Sequence, residues 1–172
     1  MNRSELLHWL REEHRQWEAL LERVGPARMD QAGVNGSWSF KDLVAHLNPD
    51  GVRSVADLQA LLLNEPEPPP PWPAHLQNDD EINAYLYEAN HERPARAILE
   101  EARHMFQRLF TAMEELPEDV RIDIVRQGEH RYYFVCMNDR RVQPGYIFDH
   151  FHDDHEQDVR AWLTRIETSA TG

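Results

Sequence analysis

Apolar residues recur every three or four positions along several stretches of this chain, the spacing of helices that bury one face. In residues 4–24, Leu6, Leu10, Trp17, Leu20, Leu21 and Val24 share a side, Ser4 stands where an N-cap belongs, and Gly25-Pro26 ends the run. Glu13 falls in the middle of that stripe and His14 at its edge, so Glu13 needs a partner to offset its burial. Residues 25–38, with Gly25, Pro26, Gly33, Asn35 and Gly36, read as a loop. A second helix starts near Ser39, with Asp42 as a weak capping-box partner and Phe40, Leu43, Val44 and Leu47 as its stripe. Asn48-Pro49-Asp50-Gly51 then predicts a kink or break, because proline inside a helix forfeits a hydrogen bond and clashes with the preceding turn. A further segment carrying Val52, Val55, Leu58 and Leu62 follows.

The proline run at 65–73 predicts an extended connector, with Trp72 pinned onto the helices. Asn78 or Asp79 caps a third helix that turns Ile82, Tyr85, Leu86 and Ala89 inward, until Arg93-Pro94 interrupts it. Residues 94–115 carry Ile98, Leu99, Ala102, Met105, Phe106, Leu109 and Met113, and Leu116-Pro117 closes them. Residues 120–137 are ambiguous. Val120, Ile122 and Ile124 alternate, as do Tyr132, Phe134 and Cys136, around Gln127-Gly128-Glu129, which permits a short hairpin or a loop with one helical turn. Pro144 opens a last helix running to about Glu167. The expected architecture is an all-α helical bundle, one domain over residues 1–172, with room for a hairpin at 120–140.

Composition narrows the function classes. Acidic residues number 31 against 18 basic ones, a formal charge of −13. That balance argues against nucleic-acid backbone binding and against docking on anionic membranes. The single cysteine, Cys136, excludes an internal disulfide and fits a reducing compartment. With no basic-then-apolar leader and no long apolar run, a cytoplasmic location is expected.

Histidine is the unusual component: there are 10. Imidazole is the commonest metal ligand and a general base near neutral pH. In the last helix Phe148, Phe151, Val159, Trp162 and Ile166 form the apolar stripe. On a regular helical wheel His155 lies inside that stripe, His152 stands about 60° away on the same face, and His150 points to the opposite side. His152 and His155, spaced i and i+3, can share one ion, and His46 on the flank of the second helix is the best third ligand. Three imidazoles plus an open position make a catalytic type of metal site, with Glu13 or Asp149 as base or orienting group. His8, His75, His91, His104 and His130 read as surface residues or loop caps, and Cys136 as a small hydrophobe.

These residues resemble a known superfamily. The stretch Gly33-Val-Asn-Gly-Ser-Trp-Ser-Phe-Lys-Asp-Leu-Val-Ala-His46-Leu is similar to the second-helix signature of DinB-like proteins. The run Glu81–Asn90 with the helix after Pro94, and the segment from His152 through Trp162-Leu, resemble its ClbS/DfsB branch. The resemblance implies an up-down-down-up four-helix bundle, often a homodimer. It implies a divalent metal, zinc or nickel, held by three histidines, one on helix two and two on helix four. Relatives include thiol-dependent S-transferases and isomerases and a self-protection protein that opens a reactive cyclopropane. His46 matches the helix-two ligand and His155 the final one. The usual i and i+4 spacing would put the remaining ligand at position 151, which is Phe151 here, and His152 would substitute for it.

Two functions follow as expectations. One is a metal-dependent hydrolase or transferase acting on a small reactive molecule, in detoxification or stress self-protection. The other is a non-catalytic protein that binds a small molecule or a partner, with structural histidines and Trp9, Trp17, Trp38 and Tyr85 as cavity walls.

Overall fold

The computed structural model describes residues 1–169. Helix α1 spans Arg3–Val24. Its cap is Asn2 rather than Ser4: the Asn2 side chain accepts the Glu5 N–H at 2.9 Å and the Glu5 carboxylate accepts the Asn2 N–H, a reciprocal capping box. The expected loop that follows contains a short ladder, β1 (Ala32–Asn35) against β2 (Trp38–Ser39).

Helix α2 runs from Phe40 to Leu62, opened by the Ser39/Asp42 capping box. It does not break at Asn48-Pro49-Asp50-Gly51. An interior proline costs about 3 kcal/mol. Against this, Leu47 before it and Leu58 and Leu61 after it are wholly buried, each contributing about 1.5–3 kcal/mol. A straight α2 lays both halves on α4 (Ala95–Glu114). Gly51 makes that approach possible, since a Cβ there would lie 2.3 Å from Met105 Sδ. Asn48 Nδ2 donates to the Ile98 carbonyl in the same interface. Tertiary burial thus outweighs the local break signal.

The connector after α2 has no regular structure, as expected, and leads to α3 (Asp79–Asn90), capped by Asn78. After α4 the ambiguous region is a three-stranded antiparallel sheet: β3 (Arg121–Gln127), β4 (His130–Met137) and β5 (Arg140–Val142), in that order, with Gly128 at φ +63° in the first turn. The fold is therefore mostly helical with two small sheets, not all-α. Alternating stretches this short pair only because a neighbour supplies the next strand. The last helix comes in three parts: α5 (Tyr146–His150), a π turn (Phe151–His155) and α6 (Glu156–Ser169). Among the described residues no helix is long and apolar enough to cross a membrane.

The core is continuous. Leu6, Leu10, Trp17 and Leu21 of α1 meet Phe40, Val44 and Leu47 of α2, Phe106, Leu109 and Met113 of α4, and Phe148, Val159 and Trp162 of the last helix.

Candidate metal centre

Three histidines converge on one point: His46 of α2, His150 at the end of α5 and His155 at the end of the π turn. Their ring centroids are 5.0 Å (His46–His150), 5.2 Å (His46–His155) and 4.9 Å (His150–His155) apart. The Nε2 atoms of His150 and His155 stand 3.2 Å apart. Ligand nitrogens at ~2.0–2.1 Å from a tetrahedral ion lie only slightly farther from one another.

His46 and His155 are where the sequence pattern put them, but the third member is His150 and not His152. A regular helix would set residues five apart about 140° from one another. The π turn absorbs one extra residue, closed by the Glu156 N–H donating to the Phe151 carbonyl five residues back. His150 and His155 consequently sit as an i, i+4 pair would. His152 is carried to the other side, where Nε2 meets Glu13 at 2.8 Å and Nδ1 meets Glu156 at 2.8 Å. Phe151, at the position of the usual ligand spacing, packs edge-on against Trp17 in the core. The signal in the chain was the five-residue spacing of His150 and His155, one more than a helical ligand pair needs.

Charge and burial prepare the cluster. Burial first, then the charges of His150 and His155, lower His46 to about 3, so it is a neutral imidazole at neutral pH. His155 is likewise lowered by burial and by His150. Burial pulls His150 down as well, yet the hydrogen bond and charge of Asp50 outweigh it and leave this ring raised. Asp50 Oδ2 accepts from His150 Nδ1 at 2.7 Å, which turns Nε2 toward its neighbours. A carboxylate behind a ligating imidazole fixes its tautomer and orientation. Asp50 belongs to the Asn-Pro-Asp-Gly segment that stays helical, and that is why it can reach His150. His46 Nδ1 is buried without a hydrogen-bond partner. Neutral imidazoles, an unpaired buried nitrogen and a carboxylate-oriented ring form a donor set that fits a divalent ion of intermediate softness.

The cluster lies on the wall of a cavity of about 760 Å³. Helix α2 contributes His46, Asp50, Arg53 and Asp57; the connector contributes Glu67 and Trp72; β5 contributes Arg140 and Arg141; Tyr146 and Asp154 complete the histidine side. The connector is held there by two arginines. Arg53 pairs with Glu67 at 3.1 Å, and Arg140 donates to the Glu65 carbonyl. Trp72 and Tyr146 are its aromatic walls, in place of the expected Trp9, Trp17, Trp38 and Tyr85, none of which lines it. Trp38 instead stacks on Tyr87 and touches the His46 ring edge-on.

Glu13 and Asp149 also lie outside this lining. Glu13 is the partner of His152, and this answers the problem of a carboxylate on an apolar stripe. The Glu13 hydrogen bond, opposed by burial and aided by Glu156, raises His152 to about 9. Asp149 is 8% exposed, accepts from Gln143 Nε2 at 2.7 Å, and is raised by burial to about 6.

The sequence model of the family described as mycothiol maleylpyruvate isomerase N-terminal domain matches residues 10–139. The match runs from α1 through β4 and includes His46, whereas His150 and His155 follow it. No curated protein and no solved structure matches the chain. With well over half of its length matched, and a mostly helical fold, the chain belongs to the mycothiol maleylpyruvate isomerase N-terminal domain family, within the DinB-like superfamily.

Proposed function

We propose that this protein holds a divalent metal, zinc or nickel, through His46, His150 and His155 and acts on a small molecule bound in the adjoining cavity. The observation that carries the reading is the convergence of three buried or half-buried imidazoles, one of them oriented by Asp50, on the wall of that cavity. A bound ion would supply Lewis acidity, lowering the pKa of a thiol or water that reaches it and polarising an electrophile.

The chain's own residues supply the rest. The three rings offer neutral nitrogens without first losing a proton. Asp50 keeps His150 in one tautomer. Trp72, on a connector tied down through Glu65 and Glu67, narrows access from solvent and gives a flat apolar surface for a substrate. The family's description names an isomerase together with the thiol mycothiol, and this favours a thiol cosubstrate and isomerase or S-transferase chemistry over hydrolysis. The superfamily resemblance supports a ClbS/DfsB-type, up-down-down-up homodimer with a role in detoxification or stress protection.

The test begins with metal content. Untagged protein is expected to purify with, or take up, one divalent ion per chain, and His46→Ala and His155→Ala to lose it while circular dichroism is kept. Thiol consumption in the presence of small electrophiles then separates transferase from hydrolase. Equal metal content in wild type and both variants would end the reading.

A further inference from the structure

We propose that Glu13, acting through His152, is a positioning residue for the three-histidine cluster: it fixes the place of the π turn, and so the register that sets His150 beside His155. The inference rests on the metal-site reading above for its consequence, but on the packing of the last helix for its mechanism.

A π turn is a one-residue insertion in an α-helix, and nothing in the backbone dictates which turn absorbs it. Placed one turn earlier or later, it would leave His150 and His155 on regular helix, about 140° apart and unable to face one point. Something outside the helix must select the observed place. Two residues of α1, one helical turn apart, grip the wide turn from outside: Trp17 takes the Phe151 ring at 5.2 Å, and Glu13 takes His152 Nε2 at 2.8 Å. His152 is held at both nitrogens, by Glu13 across the interface and by Glu156 on its own helix. Each carboxylate accepts from one ring N–H, so this imidazole is charged and directional, and it sits on the side of the helix away from the cluster. The Phe151 contact is apolar and tolerates sliding; the Glu13 contact does not. Nothing else on the page requires a carboxylate at position 13, which an apolar residue would fill at lower cost.

The experiment uses the full chain and Co(II) as the probe. Glu13→Leu removes the pin and leaves an apolar side chain on an apolar stripe. Glu13→Gln keeps an oxygen that accepts from His152. Loss of partners behind metal ligands weakens metal affinity by about 10–100-fold. Glu13→Leu is expected to stay folded, to bind Co(II) at least about tenfold more weakly with an altered visible spectrum, and to show faster exchange of the Glu156 amide that closes the π turn. Glu13→Gln is expected to restore most of the affinity. Wild-type affinity, spectrum and Glu156 exchange in Glu13→Leu would overturn the proposal. If the wild type itself binds no Co(II), the metal reading falls, and amide exchange still decides this one: in metal-free protein, unchanged Glu156 exchange and unchanged His150 and His155 imidazole shifts in Glu13→Leu would refute the pin, and a change in them would support it.

Discussion

Deleting Asp153 should leave this protein folded with its histidines still together, whereas the same edit in an ordinary helix should unfold it. In a regular helix, removing one residue rotates everything beyond it by about 100°. Deletion of Arg103, exposed in α4, would turn Met105, Phe106, Leu109 and Met113 out of the core. At about 1.5–3 kcal/mol each, that is roughly 6–12 kcal/mol, comparable with the whole stability of a domain at ~5–15 kcal/mol. Asp153 lies inside the π turn, where one residue is already in excess. Its removal converts the turn to α-helix, keeps Val159, Trp162 and Leu163 facing inward, and places His150 and His155 about 40° apart. The loss is the exposed Tyr132 hydroxyl bond to Asp153, worth at most about 1.5 kcal/mol. At this chain length that corresponds to a fall in Tm of no more than about 6 °C. Thermal unfolding followed by circular dichroism, with a Co(II) titration on the same samples, tests both halves. A deletion variant that unfolds like the Arg103 control, or folds but no longer takes the metal, would refute the idea that the π turn is a removable insertion between two ligands.

Other outcomes follow from the same geometry. Asp50→Asn should weaken metal binding by about 10–100-fold while preserving the fold, because the carboxylate orients His150 and is not itself a ligand; isothermal titration would show it. Gly145→Ala should destabilise by about 1–3 kcal/mol, since its Cβ would lie 2.6 Å from the Trp9 ring just before α5, and a urea midpoint reports the loss. His14 is half-buried beside Phe106 and Phe110, and burial lowers its pKa against the opposing pull of Glu18. Above the ordinary imidazole value both folded and unfolded chains are neutral there. Below it the unfolded chain takes the proton first, so this residue's share of stability is lost as pH falls toward the depressed folded pKa. His14→Leu should therefore lose less stability than wild type between neutral and mildly acidic pH, and equal losses would count against burial as the cause.

The helices were legible because their periodicity is a local property of side-chain order. Leu6 to Val24, Phe40 to Leu47 and Ile98 to Met113 mark their own faces, and the Ser39/Asp42 and Asn78 caps mark two starts. His46 and His155 were legible for the same reason, as histidines on or beside a helical stripe. Three features depended on contacts between distant segments. Helix α2 passes through Pro49 because α4 buries both halves of it, with Gly51 making way for Met105. The strands at 121–142 exist because each finds a partner. His150 replaces His152 because a regular wheel assumes one pitch throughout, and the wide turn at Phe151–His155 departs from it. Residue order thus sets which face of a helix is apolar, since that follows from neighbours along the chain. The place of a one-residue insertion, and hence which imidazoles meet, is a choice among nearly equal backbone registers, and only α1 pressing Glu13 and Trp17 against the last helix makes it.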